Sequence, residues 1–261
     1  MTQGRKNQEE NRNIKRWGTL VILLVVFIGS LFLRNESSLN LLRDLGFSRG
    51  TVQTLKKARE FILDGRGNYE PSKTNKYYQL DTKEPQFSDQ DFQEVKDWQS
   101  FTPLDHLNRV GPANALIGPE SKPKEKRGDI SKVYPTGWHQ KRYSFVDGEA
   151  LYNRCHLIAY QLTGENANWL NLMTGTRSFN KEGMLPLENL VAAYIRDTGN
   201  QVRYRVTPVF KGDELLARGV IIEAASVKDR GKALSFRAYV PNQEPGVELD
   251  YKTGRNRKMV N

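Results

Sequence analysis

Apolar and polar positions follow three different patterns along the chain. From Trp17 to Leu33 the sequence is apolar on every side, with VILLVVFIGSLFL at its heart and no charge inside it. A segment without a polar face is unlike the surface helix of a globular domain. At roughly 17 residues it reaches the lower limit for crossing a bilayer, and it predicts a membrane anchor over 17–33. From Ser37 to about Leu63, Leu39, Leu42, Leu45, Val52, Leu55, Ala58 and Ile62 recur at helical spacing. That predicts a helical stalk, interrupted at Gly46 and Gly50. The stretch from Asp64 to about Gln90 is rich in Asn, Lys, Gly and Tyr and reads as linker.

Past the linker, strand and helix patterns mix. Val202–Phe210 alternates apolar and polar, and Gly219–Ala225 and Leu234–Val240 follow with Gly-containing turns between them. These three predict an antiparallel meander. Glu149–His156 ends in a half-alternating, strand-like run. One helix stands out: Leu187, Leu190, Val191, Tyr194 and Ile195 share a face, and Thr198-Gly199-Asn200 supplies a stop. The expected class is α+β, with an antiparallel sheet core and few helices. No internal repeat is visible.

Charge and cysteine content narrow the setting. The 261 residues carry 40 Lys+Arg against 30 Asp+Glu, a surplus that suits polyanions such as nucleic acid or an anionic membrane surface. Arg5, Lys6, Arg12, Lys15 and Arg16 precede the apolar run and predict a cytoplasmic N-terminus with the remainder outside. A cleaved signal peptide, releasing a secreted form, is the rival. The run ends Gly29-Ser30-Leu31-Phe32-Leu33-Arg34, without an A-x-A pattern, which favours the uncleaved anchor. A single cysteine excludes an intrachain disulfide. The expected organisation is a basic tail over 1–16, the bilayer anchor over 17–33, stalk and linker over 34–86, and the functional domain over 87–261.

Of the three histidines, His106 and His139 lack chemical context, whereas His156 sits in Asn153-Arg154-Cys155-His156. Asn171-Leu172, Asn180 and Glu188 follow it, Tyr134-Pro135-Thr136-Gly137-Trp138 precedes it, and Leu249-Asp250-Tyr251-Lys252-Thr253-Gly254 lies near the end. Over about Leu104 to Thr253 this combination resembles the DNA/RNA non-specific endonucleases with a ββα-metal active site. It is most similar to their membrane-anchored streptococcal DNA-entry branch. Cys155 departs from the signature, which has glycine there.

The resemblance implies an extracellular, Mg²⁺-dependent endonuclease acting on DNA and also on RNA, with Mn²⁺ as a substitute metal. It implies that His156 is the general base, Asn180 the direct metal ligand, and Glu188 the holder of metal-bound water. Arg154 would meet the phosphate charge, with Asn153 and Asn171 in support. Such chemistry suits the residue types: a histidine titrates near neutrality, and Mg²⁺ keeps most of its waters. Taken alone, Asn180 reads as a turn residue and Glu188 as a first-turn acid. Asn180 and Glu188 are about two helical turns apart, but Gly183 and Pro186 fall between them and predict a kink or late helix start. The Lys122–Arg127 run reads as a solvated loop, with contact to nucleic acid as the lesser reading. A Cys155–His156 nucleophilic pair is disfavoured, because neighbours on a strand face opposite ways. Two rivals remain: a surface receptor that binds DNA without cutting, and a scaffold carrying a relic domain. Neither needs the His156, Asn180 and Glu188 set.

Overall fold

The alternation over 202–240 does produce the meander. In this computed structural model, which describes residues 77–80, 85–93 and 96–260, three strands run antiparallel in succession: β6 (Val202–Val209), β7 (Gly219–Ser226) and β8 (Ser235–Pro241). β8 shows the clearest reason. Phe236, Ala238 and Val240 point into the core while the residues between them are partly exposed, as a one-faced strand requires.

Three further strands complete this sheet. They are β1 (Tyr78–Gln79), β2 (Trp98–Phe101) and β3 (Ala113–Ile117), and the strand order is β1-β8-β7-β6-β3-β2. All its pairings are antiparallel. β1 lies ahead of the domain start expected near Phe87, because its backbone pairs with the outer edge of β8. Phe87 itself packs on the sheet's second face. Its ring lies 4.8 Å from the guanidinium of Arg203 and 5.0 Å from that of Arg205. Arg203 pairs with Asp91, and Arg205 with Glu223.

A smaller unit is laid on the first face. β4 (Tyr152–His156) pairs with β5 (Leu172–Thr176) as a separate two-stranded sheet. Between them is a short helix, α1 (Tyr160–Thr163). After β5 the chain makes a π turn over Phe179–Met184 and continues directly into α2 (Leu185–Thr198). α2 ends where its sequence predicted, at Gly199 in the left-handed conformation, with the Gly199 N–H bonded to the Ile195 carbonyl. Leu187, Val191 and Ile195 of α2 join Val202, Tyr204, Ile222 and Phe236 of the sheet in one buried core.

A second, smaller core holds Leu151, Tyr152, Leu216 and Val247, near the short pair β9 (Val247–Leu249) and β10 (Asn256–Lys258). It joins the two flanking motifs of the sequence. The Tyr152 hydroxyl donates to the Gly254 carbonyl, and the Asn256 amide donates to the His139 carbonyl. Gly254 packs so closely on Gly137 that a Cβ there would overlap the Gly137 carbonyl.

The expected anchor at 17–33 and nearly all of the stalk and linker lie outside the described residues. Among those described, no helix is long and apolar enough to cross a membrane.

Candidate active site

Strand alternation separates Cys155 from His156. Cys155 is fully buried in the main core. A Cβ on Gly175, which pairs with Asn153 across the ladder, would overlap both the Cys155 sulfur and the Phe179 ring. Burial pushes the Cys155 thiol well above its ordinary range, so no thiolate forms there for nucleophilic work. His156 faces the other way, into a cleft of about 410 Å³.

Two constraints fix the histidine. Asn171, fully buried, accepts from the Ile158 N–H at 2.9 Å and donates to the Ile158 carbonyl at 3.0 Å. Its own carbonyl accepts from the Leu157 N–H. The chain just after His156 is thus clamped to the start of β5. The ring is then set by the Asn166 carbonyl, 2.7 Å from Nε2. A carbonyl only accepts, so Nε2 carries the proton and the neutral ring keeps its lone pair on Nδ1. Burial lowers the His156 pKa, the Asn166 bond works against that, and the Arg127 charge adds to it.

Arg127 was not legible in advance. It closes the basic run that reads as solvated loop, yet its Nη2 lies 3.4 Å from His156 Nδ1. The loop is held in place: the Tyr160 hydroxyl donates to the Glu125 carbonyl, and Asp129 accepts from the Ser131 N–H and hydroxyl. Gly128-Asp129-Ile130-Ser131 has the composition of a turn, and that was the available sign that the run ends in ordered structure.

Asn180 and Glu188 meet through the π turn. Eight residues of regular α-helix overshoot two turns by ~80°. Here the Leu185 N–H bonds to the Asn180 carbonyl, five residues back. The wider turn absorbs most of the overshoot, and both side chains line the His156 cleft. The kink expected from Gly183 and Pro186 is therefore a widened turn, with Pro186 in the first turn of α2 where its missing N–H is tolerated. Glu188 is buried, and burial pushes its carboxyl up to about 8, against an opposing pull from Arg127.

Arg154 also lines the cleft. Its Nε donates to the Val133 carbonyl and its Nη2 to the Ser131 carbonyl, and its guanidinium lies 4.2 Å over the Trp138 ring. It ties the Tyr134–Trp138 motif to β4 while keeping its charge at the cleft wall. Asn153 lies two residues before Cys155, whose thiol donates to the Asn153 carbonyl. His106 and His139 are exposed and do not line the cleft. A larger cleft of about 900 Å³ beside Trp98 and Lys228 holds none of these groups, so size alone does not locate the site.

The site residues fall inside a span, 90–228, that matches the sequence profile of the DNA/RNA non-specific endonucleases. The chain belongs to that family. NucA from Streptococcus agalactiae has been solved with magnesium bound and with no metal bound. Each structure superposes with a TM-score of 0.63 at 25% identity, covering 78% of this chain. The share of NucA covered is 98% in the first and 97% in the second. The structure of Sda1 nuclease with bound zinc superposes at 0.62 with 24% identity, over 72% of this chain and 98% of that one. This chain is therefore an endonuclease, with a mixed fold on an antiparallel sheet, acting on nucleic acid.

Proposed function

We propose that this endonuclease is anchored by residues 17–33 in the cell membrane, displays residues 87–261 outside, and hydrolyses DNA and RNA with Mg²⁺. The observation that carries the catalytic part is the meeting of His156, Asn180 and Glu188 with Arg127 and Arg154 in one cleft. Nδ1 of His156 takes a proton from water as the water oxygen bonds to phosphorus. The bond from phosphorus to the leaving oxygen then breaks, that oxygen takes a proton from solvent, and His156 returns its proton to solvent. Arg127 turns from the imidazole to the phosphate, which opens Nδ1 to the water. With Arg154 it offsets the charge that builds on the phosphoryl oxygens. Asn171 and the Asn166 carbonyl keep the ring in its productive tautomer and position.

The donor set fits a hydrated magnesium ion. Among the described residues no three His, Cys, Asp or Glu side chains converge as a metal cluster, so a zinc-type cage is not built from such groups. Asn180 offers one neutral amide oxygen, which suffices for an ion that retains its waters, and Glu188 would hold one of those waters. Bound there, Mg²⁺ would polarise the phosphoryl oxygen and ease protonation of the leaving group; Mn²⁺ has matching preferences. Contacts led by phosphates carry no sequence information, which supports non-specific cutting.

Incubating the purified full chain with plasmid or RNA, with Mg²⁺ or with EDTA, tests the reading. Cleavage of both that EDTA abolishes is the expected result, and EDTA-resistant cleavage would overturn the metal requirement. External protease added to intact cells should digest the nuclease domain. Its protection while the membrane stays sealed would overturn the topology.

A further inference from the structure

A groove of about 370 Å³ with mixed polar and apolar lining lies beside the cleft, walled by Leu107, Pro135, Leu172 and two aromatic side chains, Tyr134 and Trp169. Tyr134 is 61% exposed and Trp169 50%. Trp169 opens the 3₁₀ turn that ends at Asn171, and Asn168 caps that turn through the Leu170 N–H. Its backbone is fixed while its ring stands in solvent.

Two contacts place the groove next to the cleft. Arg154 lines the cleft, and its guanidinium lies 5.1 Å over the ring of Tyr134, which lines the groove. Leu172 pairs directly with His156 in the β4–β5 register, so the two side chains share a face.

We propose that the groove receives an unpaired nucleobase of the substrate, stacked against Trp169 with Tyr134 on the opposite wall, next to the phosphate held in the cleft. The occupant follows from this adjacency. A strand whose phosphate meets Arg154 carries its neighbouring base within reach of Tyr134, and a slot with exposed aromatic rings matches a base's π-face. Every base has such a face, so the subsite adds affinity without sequence preference. It favours strands whose bases are free to leave the helical stack. The proposal rests on the assignment of the His156 cleft to catalysis.

The test uses the full chain in mild detergent and two single-stranded oligonucleotides of equal length, one intact and one made of abasic residues. Trp169→Ala should raise KM on the intact strand about ten-fold, within the range for loss of one stacked base, with kcat little changed. It should leave KM on the abasic strand unchanged, and Trp169→Phe should restore most of the affinity. Equal KM for Trp169→Ala and wild type on the intact strand would overturn the proposal. So would an equal loss on both strands. Conversion of a dimer to a monomer in Trp169→Ala, with kinetics unmoved, would assign the groove to a second copy of the chain and overturn it too. Wild-type cutting by His156→Ala would sink the cleft assignment itself, a different failure from an unmoved Trp169 variant.

Discussion

Arg127 Nη2 stands 3.4 Å from His156 Nδ1, a guanidinium facing the lone pair of a buried imidazole. The contact ties the loop before β4 to the proposed base. It also adds a positive charge where protonation would add another. Burial, the larger cause, and Arg127 both hold the His156 pKa below its ordinary 6.5. A base works while neutral, so the acid limb of kcat/KM should lie below pH 6.5. Arg127→Met removes the charge but leaves the burial, and should move the limb up without carrying it past the ordinary value. Loss of a charge-assisted contact to phosphate should also cost about ten-fold or more in kcat/KM. A pH–rate profile measures both, and a limb that stays put or moves down would contradict the electrostatic link.

Glu188 gives a stability prediction for the metal-free chain. Its carboxyl is pushed from 4.5 up to about 8 by burial. A raised folded-state pKa means that the native state keeps the proton after the unfolded chain has lost it. The associated stability is therefore full below about pH 4.5 and is lost as pH rises toward 8, by an amount on the order of a few kcal/mol. Glu188→Gln should flatten that slope in denaturation experiments with EDTA present. An unchanged slope would show that Glu188 is not the group responsible.

The proposed positioning role of Asn171 predicts how its variants behave. Asn171→Ala strands the N–H and carbonyl of Ile158 in a buried place, at a cost of about 1–3 kcal/mol for each unpaired group. It also frees the chain beyond His156. Midpoint denaturant concentration should fall, and kcat should fall more than KM rises. Asn171→Asp keeps the acceptor but loses the donor, and should be no better. Wild-type kcat in both variants would leave Asn171 as a packing residue only.

These residues differ in how legible they were. The β6–β8 meander announced itself by alternation, and α2 by its apolar face and Gly199. β3 did not, because Ala113–Ile117 is almost wholly buried and five residues with Asn114 among them are too few to show a period. The neighbours of His156 were found through a motif. The geometry joining them was hidden, because Gly183 and Pro186 resemble a break, whereas hydrogen bonding across Asn180 and Leu185 makes them a widened turn. Arg127 was hidden for another reason. Charge runs are usually solvated, and only the fold shows that the last member, itself exposed, reaches His156.

Cys155 replaces the glycine of the family signature, and its environment predicts tolerance. The thiol fills core space beside Phe179 and Gly175 and faces away from the cleft. Cys155→Ser and Cys155→Gly should keep most of the activity and lose about 1–2 kcal/mol of stability from the polar or empty site. Alkylating reagents should label the native chain slowly. Complete loss of activity in both variants, with the fold intact by circular dichroism, would restore a chemical role for the sulfur.

The sharpest test separates the base from the metal ligand. His156→Gly removes the proton acceptor and leaves a space the size of an imidazole beside the Asn166 carbonyl. Added imidazole should partly restore cleavage there, with a pH dependence that follows its own titration. Metal affinity should barely change, because His156 is proposed not to hold the ion. Asn180→Ala removes the proposed direct ligand, so metal should bind more weakly, extra Mg²⁺ should help, and imidazole should not. Loss of the base should cost about 10²–10⁴-fold in rate. Stability separates these effects from unfolding, since Asn180 is only partly buried and its replacement should leave the denaturation midpoint nearly unchanged. The outcome is a crossed pattern: imidazole helps only the first variant, and magnesium only the second. Because a collapsed cavity blocks rescue, the decisive reading is the activity of each variant at ordinary Mg²⁺. Full activity in either one would remove that residue from the mechanism.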